Sequence, residues 1–220
     1  MDFFGPEAAD FANVRVLNHA FLLRLRASHQ GQALRQRMPA DIAVLIQAMT
    51  DLQIERLASS PFLLLSLRER DEACWYALES DEPNLDLLSS ANRHSDELLT
   101  TSASFLWQLA GRNAYAARLV SGASLGWCER LAECNLLHVL RTAADCDGLL
   151  QPRFAADGDF WRKLLGPGLS SESGVRRSAH VTCLQWLLTD DPAVRYQRIR
   201  TAACDNKVPT LSVAEKPRPR

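Results

Sequence analysis

The sequence lacks the features that mark a membrane or secreted protein. No apolar run approaches the roughly 20 residues that a membrane-spanning helix requires. Residues 1–7 contain no basic stretch of the kind that opens a signal peptide. We therefore expect a protein that makes no membrane contact and works in the cytoplasm. Its 220 residues are 47% hydrophobic and 23% charged, which is typical of a chain that folds around its own core.

Paired metal ligands and the common catalytic motifs are also missing. None of the six cysteines forms a C-x-x-C pair. Cys134 and His138 have helical spacing, with Cys128 nearby, but no second pair of ligands completes a structural zinc site. There is no G-x-S-x-G turn, phosphate-binding loop, dinucleotide fingerprint or H-E-x-x-H helix. We expect no catalytic residue, no metal and no cofactor, and a small serine or cysteine hydrolase is the weaker alternative.

What the sequence does contain is a pattern that occurs twice. Apolar and polar positions within residues 21–58 align with positions within residues 105–143 once a single residue is inserted. The aligned residues are Phe21, Leu22, Leu25, Leu34, Ile46, Thr50, Leu52, Arg56 and Ala58 in the first copy, and Phe105, Leu106, Leu109, Leu119, Leu131, Asn135, Leu137, Arg141 and Ala143 in the second. Repetition on this scale is typical of stacked modules, so we predict two copies of one small unit.

Most of the chain shows helical periodicity. Apolar residues recur at three- and four-residue steps across residues 9–27, and Pro39 marks the start of another helix. Thr50 and Gln53 form a capping box that opens a third. Residues 62–67 fit either a short strand or the start of a buried helix. Because no run of alternating strands appears, we predict an all-α fold with two tandem helical modules and a C-terminal helical extension.

Composition divides the chain into five ranges. They are a first helical module at residues 1–78, a linker at 79–97, a second and diverged module at 98–150, a basic helical region at 151–204 and a disordered tail at 205–220. The charge is uneven, because the last 70 residues carry 12 Lys and Arg against 7 Asp and Glu. This excess favours the C-terminal third for contact with an acidic partner.

Four segments of the first module share a family pattern. Residues 18–23 read N-H-A-F-L-L, residues 50–53 read T-D-L-Q, residues 56–60 read R-L-A-S-S and residues 63–68 read L-L-L-S-L-R. Over residues 13–70 the sequence resembles FlhD, a subunit of the bacterial flagellar master regulator, which has N-L-x-Y-L-L, S/T-L-x-Q and K-L-A-S-S in this order, followed by an apolar stretch.

The two modules complement each other in this resemblance. The family's L-G-I-S turn is absent from the first module, which has Arg37, Met38 and Pro39 there. The second module keeps such a turn at residues 121–124, which read S-G-A-S. Each copy retains what the other has lost, as expected of a diverged duplication.

The resemblance implies a non-enzymatic, dimerising helical protein that joins an FlhC-like, zinc-binding partner to activate transcription in flagellum biogenesis. The candidate partner interface is apolar and comprises Phe21, Leu22, Leu25, Leu63 and Leu65. This chain has about twice the family's length, and the family's inter-subunit cysteine falls on Leu65, so no disulfide can form there. If its modules pack on each other they form a pseudo-dimer within one chain, while a homo-oligomer remains the other arrangement.

Arginines near the C-terminus are the candidate DNA contacts. They are Arg176, Arg177, Arg195, Arg198 and Arg200, which can neutralise phosphates from a helix face or else remain solvated. Residues 122–124 could form the turn of a helix-turn-helix, but the helix that follows is too apolar for a major groove, so packing is the better interpretation. The alternative to a DNA-binding regulator is an FlhD-derived interaction module that does not touch DNA itself.

Overall fold

The computed structural model describes residues 5–71, Trp75 and residues 96–189. About 69% of these residues are helical, and strand is limited among them to two very short segments. The all-α prediction is confirmed. The predicted linker at 79–97, apart from its last two residues, and the predicted tail at 205–220 lie outside the described residues.

The described elements fall into a first group, a second group and a final pair. The first group is α1 (Ala8–Arg26), α2 (Gln32–Arg35), α3 (Ala40–Gln47), α4 (Asp51–Ala58) and β1 (Leu65–Ser66). The second group is α5 (Glu97–Arg112), α6 (Ala114–Ser121), α7 (Leu125–Glu133), α8 (Leu136–Asp145) and β2 (Gln151–Pro152). The final pair is α9 (Gly158–Leu165) and α10 (Ser173–Thr189), joined through a 3₁₀ turn at Pro167–Leu169.

Local capping chemistry sets where several helices begin. The Thr50 hydroxyl accepts a hydrogen bond from the Gln53 N–H at 3.3 Å, and the Gln53 side chain accepts one from the Thr50 N–H at 2.9 Å. This confirms the predicted capping box at the start of α4. Ser124 caps α7 and Asn135 caps α8 in the same manner, each through a side-chain oxygen that accepts from a first-turn N–H.

Both groups of helices contribute to one continuous core. Helix α1 packs against α4 and also against α5, while α5 packs against α6, α7 and α8. The segment between α4 and β1 runs through the middle of this core, because Phe62, Leu63 and Leu64 are fully buried. Its Leu63 N–H donates to the Val120 carbonyl at 2.9 Å, which ties the first group directly to the second.

The two short strands meet each other. β1 pairs antiparallel with β2, with Leu65 opposite Pro152 and Ser66 opposite Gln151. The prediction for residues 62–67 is thereby decided in favour of a strand. An isolated two-stranded ribbon is marginal in water, so these strands depend on the helices packed around them.

The two groups run through the same order of elements. Each has a long helix, a shorter helix, two helices of eight to ten residues and a two-residue strand. Two residues beyond each strand, a non-glycine residue has a positive φ angle: 52° at Arg68 and 47° at Phe154. Each strand is then followed by a tryptophan whose indole N–H donates to a carbonyl eight residues earlier, Trp75 to Leu67 and Trp161 to Arg153.

This matching geometry continues beyond the predicted end of the second module. The prediction closed that module at residue 150, whereas the correspondence reaches Trp161 in α9. Within the described residues, no helix has the length and apolar character needed to cross a membrane.

Candidate functional site

The predicted partner interface is buried in the chain's own core. Phe21, Leu22 and Leu25 on α1 are completely inaccessible, and so are Leu63 and Leu65. These side chains cannot meet a separate subunit in this structure, and the assignment is corrected accordingly. The physical reason is that helices of the same chain cover this surface, since α1 packs against α3 and α4 of its own group and against α5 of the second.

A buried ion pair closes the junction between the two groups. The Arg153 guanidinium donates to the carbonyls of Leu63 and Leu65, the latter at 2.6 Å, and to the Glu69 carboxylate at 2.9 Å. Only 6% and 4% of the Arg153 and Glu69 side chains are exposed. Glu69 also accepts from the Ser66 hydroxyl at 2.6 Å. Because the two charges neutralise each other and both carboxylate oxygens accept hydrogen bonds, this pair acts as an internal lock.

The electrostatics of this lock favour the ionised carboxylate. Burial is the largest influence on Glu69 and by itself raises its pKa. The charge of Arg153 and the hydrogen bond from Ser66 act in the opposite direction, and with smaller contributions they bring the pKa of Glu69 below its usual value. The pair is therefore charged throughout the neutral range.

The predicted DNA-binding arginines do not form one surface in the described part of the chain. Arg176 in α10 is half-buried and donates to the Ser170 carbonyl at 2.7 Å. Its neighbour Arg177 is exposed. The remaining three predicted contacts, Arg195, Arg198 and Arg200, lie outside the described residues. Arg176 is thus engaged in holding a loop, and Arg177 is the more accessible of the two.

The turn at residues 122–124 serves packing. Gly122 has a φ of 66°, which a residue without a Cβ adopts at no cost, and it closes α6. A Cβ at this position would lie 2.3 Å from the side chain of Leu187 in α10. The turn therefore sits against α10. The helix that follows exposes Glu129, Arg130 and Glu133, a mixed set that would not suit a helix in the major groove.

A serine and a histidine approach each other in the interior without forming a catalytic pair. The Ser60 hydroxyl lies 3.5 Å from Nε2 of His180 but donates to the Leu57 carbonyl at 2.7 Å. Burial, with help from the charge of Arg176, lowers the pKa of His180 to about 4. A base that neither receives the hydroxyl proton nor lies open to solvent does not activate this serine.

The buried cysteines have unreactive thiols. Burial is the main cause that raises the pKa of Cys128 and of Cys183 to about 12, so both remain protonated at neutral pH. The Cys134 thiol donates to the Arg130 carbonyl at 3.1 Å. Among the described residues, no three His, Cys, Asp or Glu side chains come together as metal ligands.

A cleft of about 300 Å³ lies where α1 and α2 face the end of α8. Its wall carries the ion pair between Arg24 and Asp96, at 2.6 Å. Arg37 on the opposite side donates to the Gly148 carbonyl at 3.2 Å. These interactions join the two groups of helices, so the cleft is a seam between them and presents no convergent set of free polar groups.

The sequence does not single out the two charged residues that hold the junction. Nothing in the local pattern around Arg153 or Glu69 indicates that either side chain is buried. The available signal was the second tryptophan, Trp161, which follows its strand as Trp75 follows the first. Aligning the tryptophans would have extended the repeated pattern through Arg153.

No protein-family model matches the chain, and neither a curated protein nor a solved structure was found to be similar to it.

Proposed function

We propose that this protein is a non-enzymatic transcriptional regulator of the FlhD type that acts on promoter DNA together with an FlhC-like partner. Its two modules pair within one chain and replace the homodimer that the resemblance implies. In this arrangement one polypeptide supplies both halves of the helical unit.

One observation carries the proposal. The two groups of helices share their element order and meet through antiparallel strands, in a chain whose residues 13–70 resemble FlhD. The matched positive-φ residues Arg68 and Phe154, and the matched indole hydrogen bonds of Trp75 and Trp161, support a common origin for the two halves. Such backbone conformations are uncommon outside glycine, so their recurrence at the same place is a specific agreement.

Pairing within the chain has a consequence for partner binding. The apolar residues first assigned to a partner, such as Phe21 and Leu63, are buried inside the chain. The FlhC-like subunit must therefore contact another surface. DNA contact in turn falls to the partner and to the basic C-terminal residues of this chain.

The second candidate function is a protein-interaction module that does not touch DNA. The hydrogen bond between Arg176 and the Ser170 carbonyl favours it, because a guanidinium that holds a loop is less available to a phosphate. Under this alternative the exposed Arg177 is only a solvated charge.

A gel-shift series across salt concentrations separates the two functions. The full chain is mixed with promoter DNA, with and without an FlhC-like protein from the same organism. We expect retention chiefly when both proteins are present, and weaker retention with R195A/R198A. Each phosphate contact that is lost should reduce the slope of log affinity against log salt by about 0.9.

The R177A variant provides a comparison within the described part, because Arg177 is the exposed one of the two predicted DNA contacts there. Unchanged salt dependence in both variants, with retention intact, would favour the interaction module. Absence of any retention at low salt with the partner present would remove DNA binding from the proposal.

A further inference from the structure

Helix α3 and the start of α4 present large apolar side chains to solvent. The exposed fractions are 63% for Val44, 51% for Leu45 and 55% for Leu52, and Ala48 is exposed between them. Val44 and Leu45 lie on α3, and Ala48 is the residue that ends this helix, one turn after Val44. We call these three residues and Leu52 the α3–α4 face. Exposed apolar side chains that are gathered in one short segment are candidates for an interaction site in soluble proteins.

The second half of the molecule provides an internal comparison. Helix α7 follows its cap Ser124 as α3 follows Pro39, and the residues at the fifth, sixth and ninth positions after the cap are again exposed. In α7 these residues are Glu129, Arg130 and Glu133. The fold therefore accepts charged side chains at these positions. The apolar character of Val44, Leu45 and Ala48 is therefore not required for folding, whereas Leu52 has an equally exposed apolar counterpart in Leu137.

Charges around the α3–α4 face indicate what it would bind. Three exposed carboxylates lie on α3 and α4 within four residues of Leu45 or Leu52, a fourth is joined to α3 through an ion pair, and two guanidiniums pair with members of this set. The carboxylates are Asp41, Asp51, Glu55 and Asp159, and the guanidiniums are Arg26 and Arg162. The balance is acidic. In the ion pair between Arg26 and Asp51, the carboxylate is the more exposed group, because the Asp51 side chain is 84% exposed and the Arg26 side chain only 31%.

We propose that the α3–α4 face is a docking site for a basic amphipathic helix of a partner protein, one helix per chain. Leu or similar residues of that helix would cover Val44, Leu45 and Leu52, and its flanking Lys or Arg would face the acidic rim. This inference rests on the proposed function only in that the chain works with a protein partner. A second copy is disfavoured, because its identical acidic rim would face this one. An anionic membrane surface is also disfavoured, because its negative charge would repel the acidic rim.

The stoichiometry follows from the asymmetry of the chain. A true homodimer would present this face twice, whereas here the corresponding surface of α7 is charged. The partner therefore binds on one side only. Divergence of the second half has left one apolar docking face per chain, on α3 and α4, where a symmetric dimer would have two.

Site-specific photo-crosslinking tests the proposal in the intact protein. A photoreactive phenylalanine derivative replaces Val44 in one full-length version and Glu129 in the other, each expressed in the organism of origin. We expect a crosslink from position 44, and none from position 129, to a protein segment with helically spaced apolar residues and flanking Lys or Arg. Crosslinks to another copy of this chain or to lipid would overturn the proposal. So would a crosslinking yield at position 44 that is no higher than the yield at position 129.

Calorimetric titration of the crosslinked segment, as a synthetic peptide, then measures the site. We expect one peptide per chain and at least a tenfold loss of affinity in V44E/L45R/A48E, which installs the charges of α7. L52E should also weaken binding, while L137E, at the equally exposed Leu137 of α8, should leave it unchanged. Equal losses in L52E and L137E, or two peptides per chain, would contradict the one-sided site.

Because crosslinking requires no DNA, its outcome is independent of the gel-shift result. A failed gel shift with an intact crosslink would remove DNA binding and retain the docking site. Circular dichroism of V44E/L45R/A48E excludes loss of folding as the cause of weaker binding.

Discussion

At the scale of single residues, Arg153 has the largest structural role. Its guanidinium reaches carbonyls that lie 88 and 90 residues earlier in the sequence and simultaneously neutralises Glu69. An arginine can do this because its planar fork offers several donors in a fixed geometry. A lysine at the same position could neutralise Glu69 but could not satisfy both carbonyls of the strand segment.

Removing this guanidinium should be costly. We expect R153M to lower the free energy of unfolding by about 3–5 kcal/mol, because it leaves the Glu69 carboxylate buried and unpaired. The double variant R153M/E69L should recover much of that loss, since no charge then remains inside. Urea denaturation of the full chain measures both.

Arg37 supplies the control for this prediction. It also donates to a carbonyl of the other half, that of Gly148, but it does so from an exposed position. R37A should therefore change stability by no more than about 0.5 kcal/mol. A loss in R153M as small as that in R37A would contradict the role assigned to the buried pair.

At the scale of elements, α1 and α5 begin their groups in the same way but treat the central segment differently. Asn18 in α1 donates to the Phe62 carbonyl at 2.8 Å and accepts from the Leu64 N–H at 2.8 Å. It thereby holds the buried backbone that leads into β1. Ser102 in α5 precedes Phe105 by three residues, as Asn18 precedes Phe21, but its buried hydroxyl has no partner in the described part of the chain.

This difference predicts opposite responses to the same type of substitution. N18A should destabilise the protein by about 2–4 kcal/mol, because a buried carbonyl and a buried N–H both lose their partner. S102A should be neutral or slightly stabilising, because it removes a hydroxyl that was already unsatisfied. Thermal or urea unfolding compares the two. Equal destabilisation would mean that the Asn18 bridge does not hold the segment.

At the scale of the whole molecule, the two groups of helices behave as partners of each other. Leu63 bonds to Val120, β1 pairs with β2, and Arg153 spans both groups.

The chain should consequently be a monomer of 24.5 kDa in solution. Sedimentation velocity over a wide range of protein concentrations measures its mass. The V44E/L45R/A48E variant should have the same mass as the wild type, because the α3–α4 face is reserved for a different protein. A stable homodimer that this variant leaves intact would contradict the internal pairing.

Local signals account for what the sequence determined by itself. Helical periodicity and the caps Thr50, Ser124 and Asn135 act within a few residues, so the helices and several of their starting points could be derived without a structure. These interactions join residues that are only a few positions apart, so the local sequence is enough to predict them.

Tertiary structure alone decided which apolar residues are core and which are surface. Phe21 and Leu45 both fit buried positions of amphipathic helices in the sequence, but only Phe21 is covered, because α3, α4 and α5 pack against α1 whereas Leu45 on α3 stays 51% exposed. Arg153 likewise looks like any surface arginine until distant carbonyls surround it. Burial depends on which residues from distant parts of the sequence pack against a side chain, and a local sequence pattern does not contain that information.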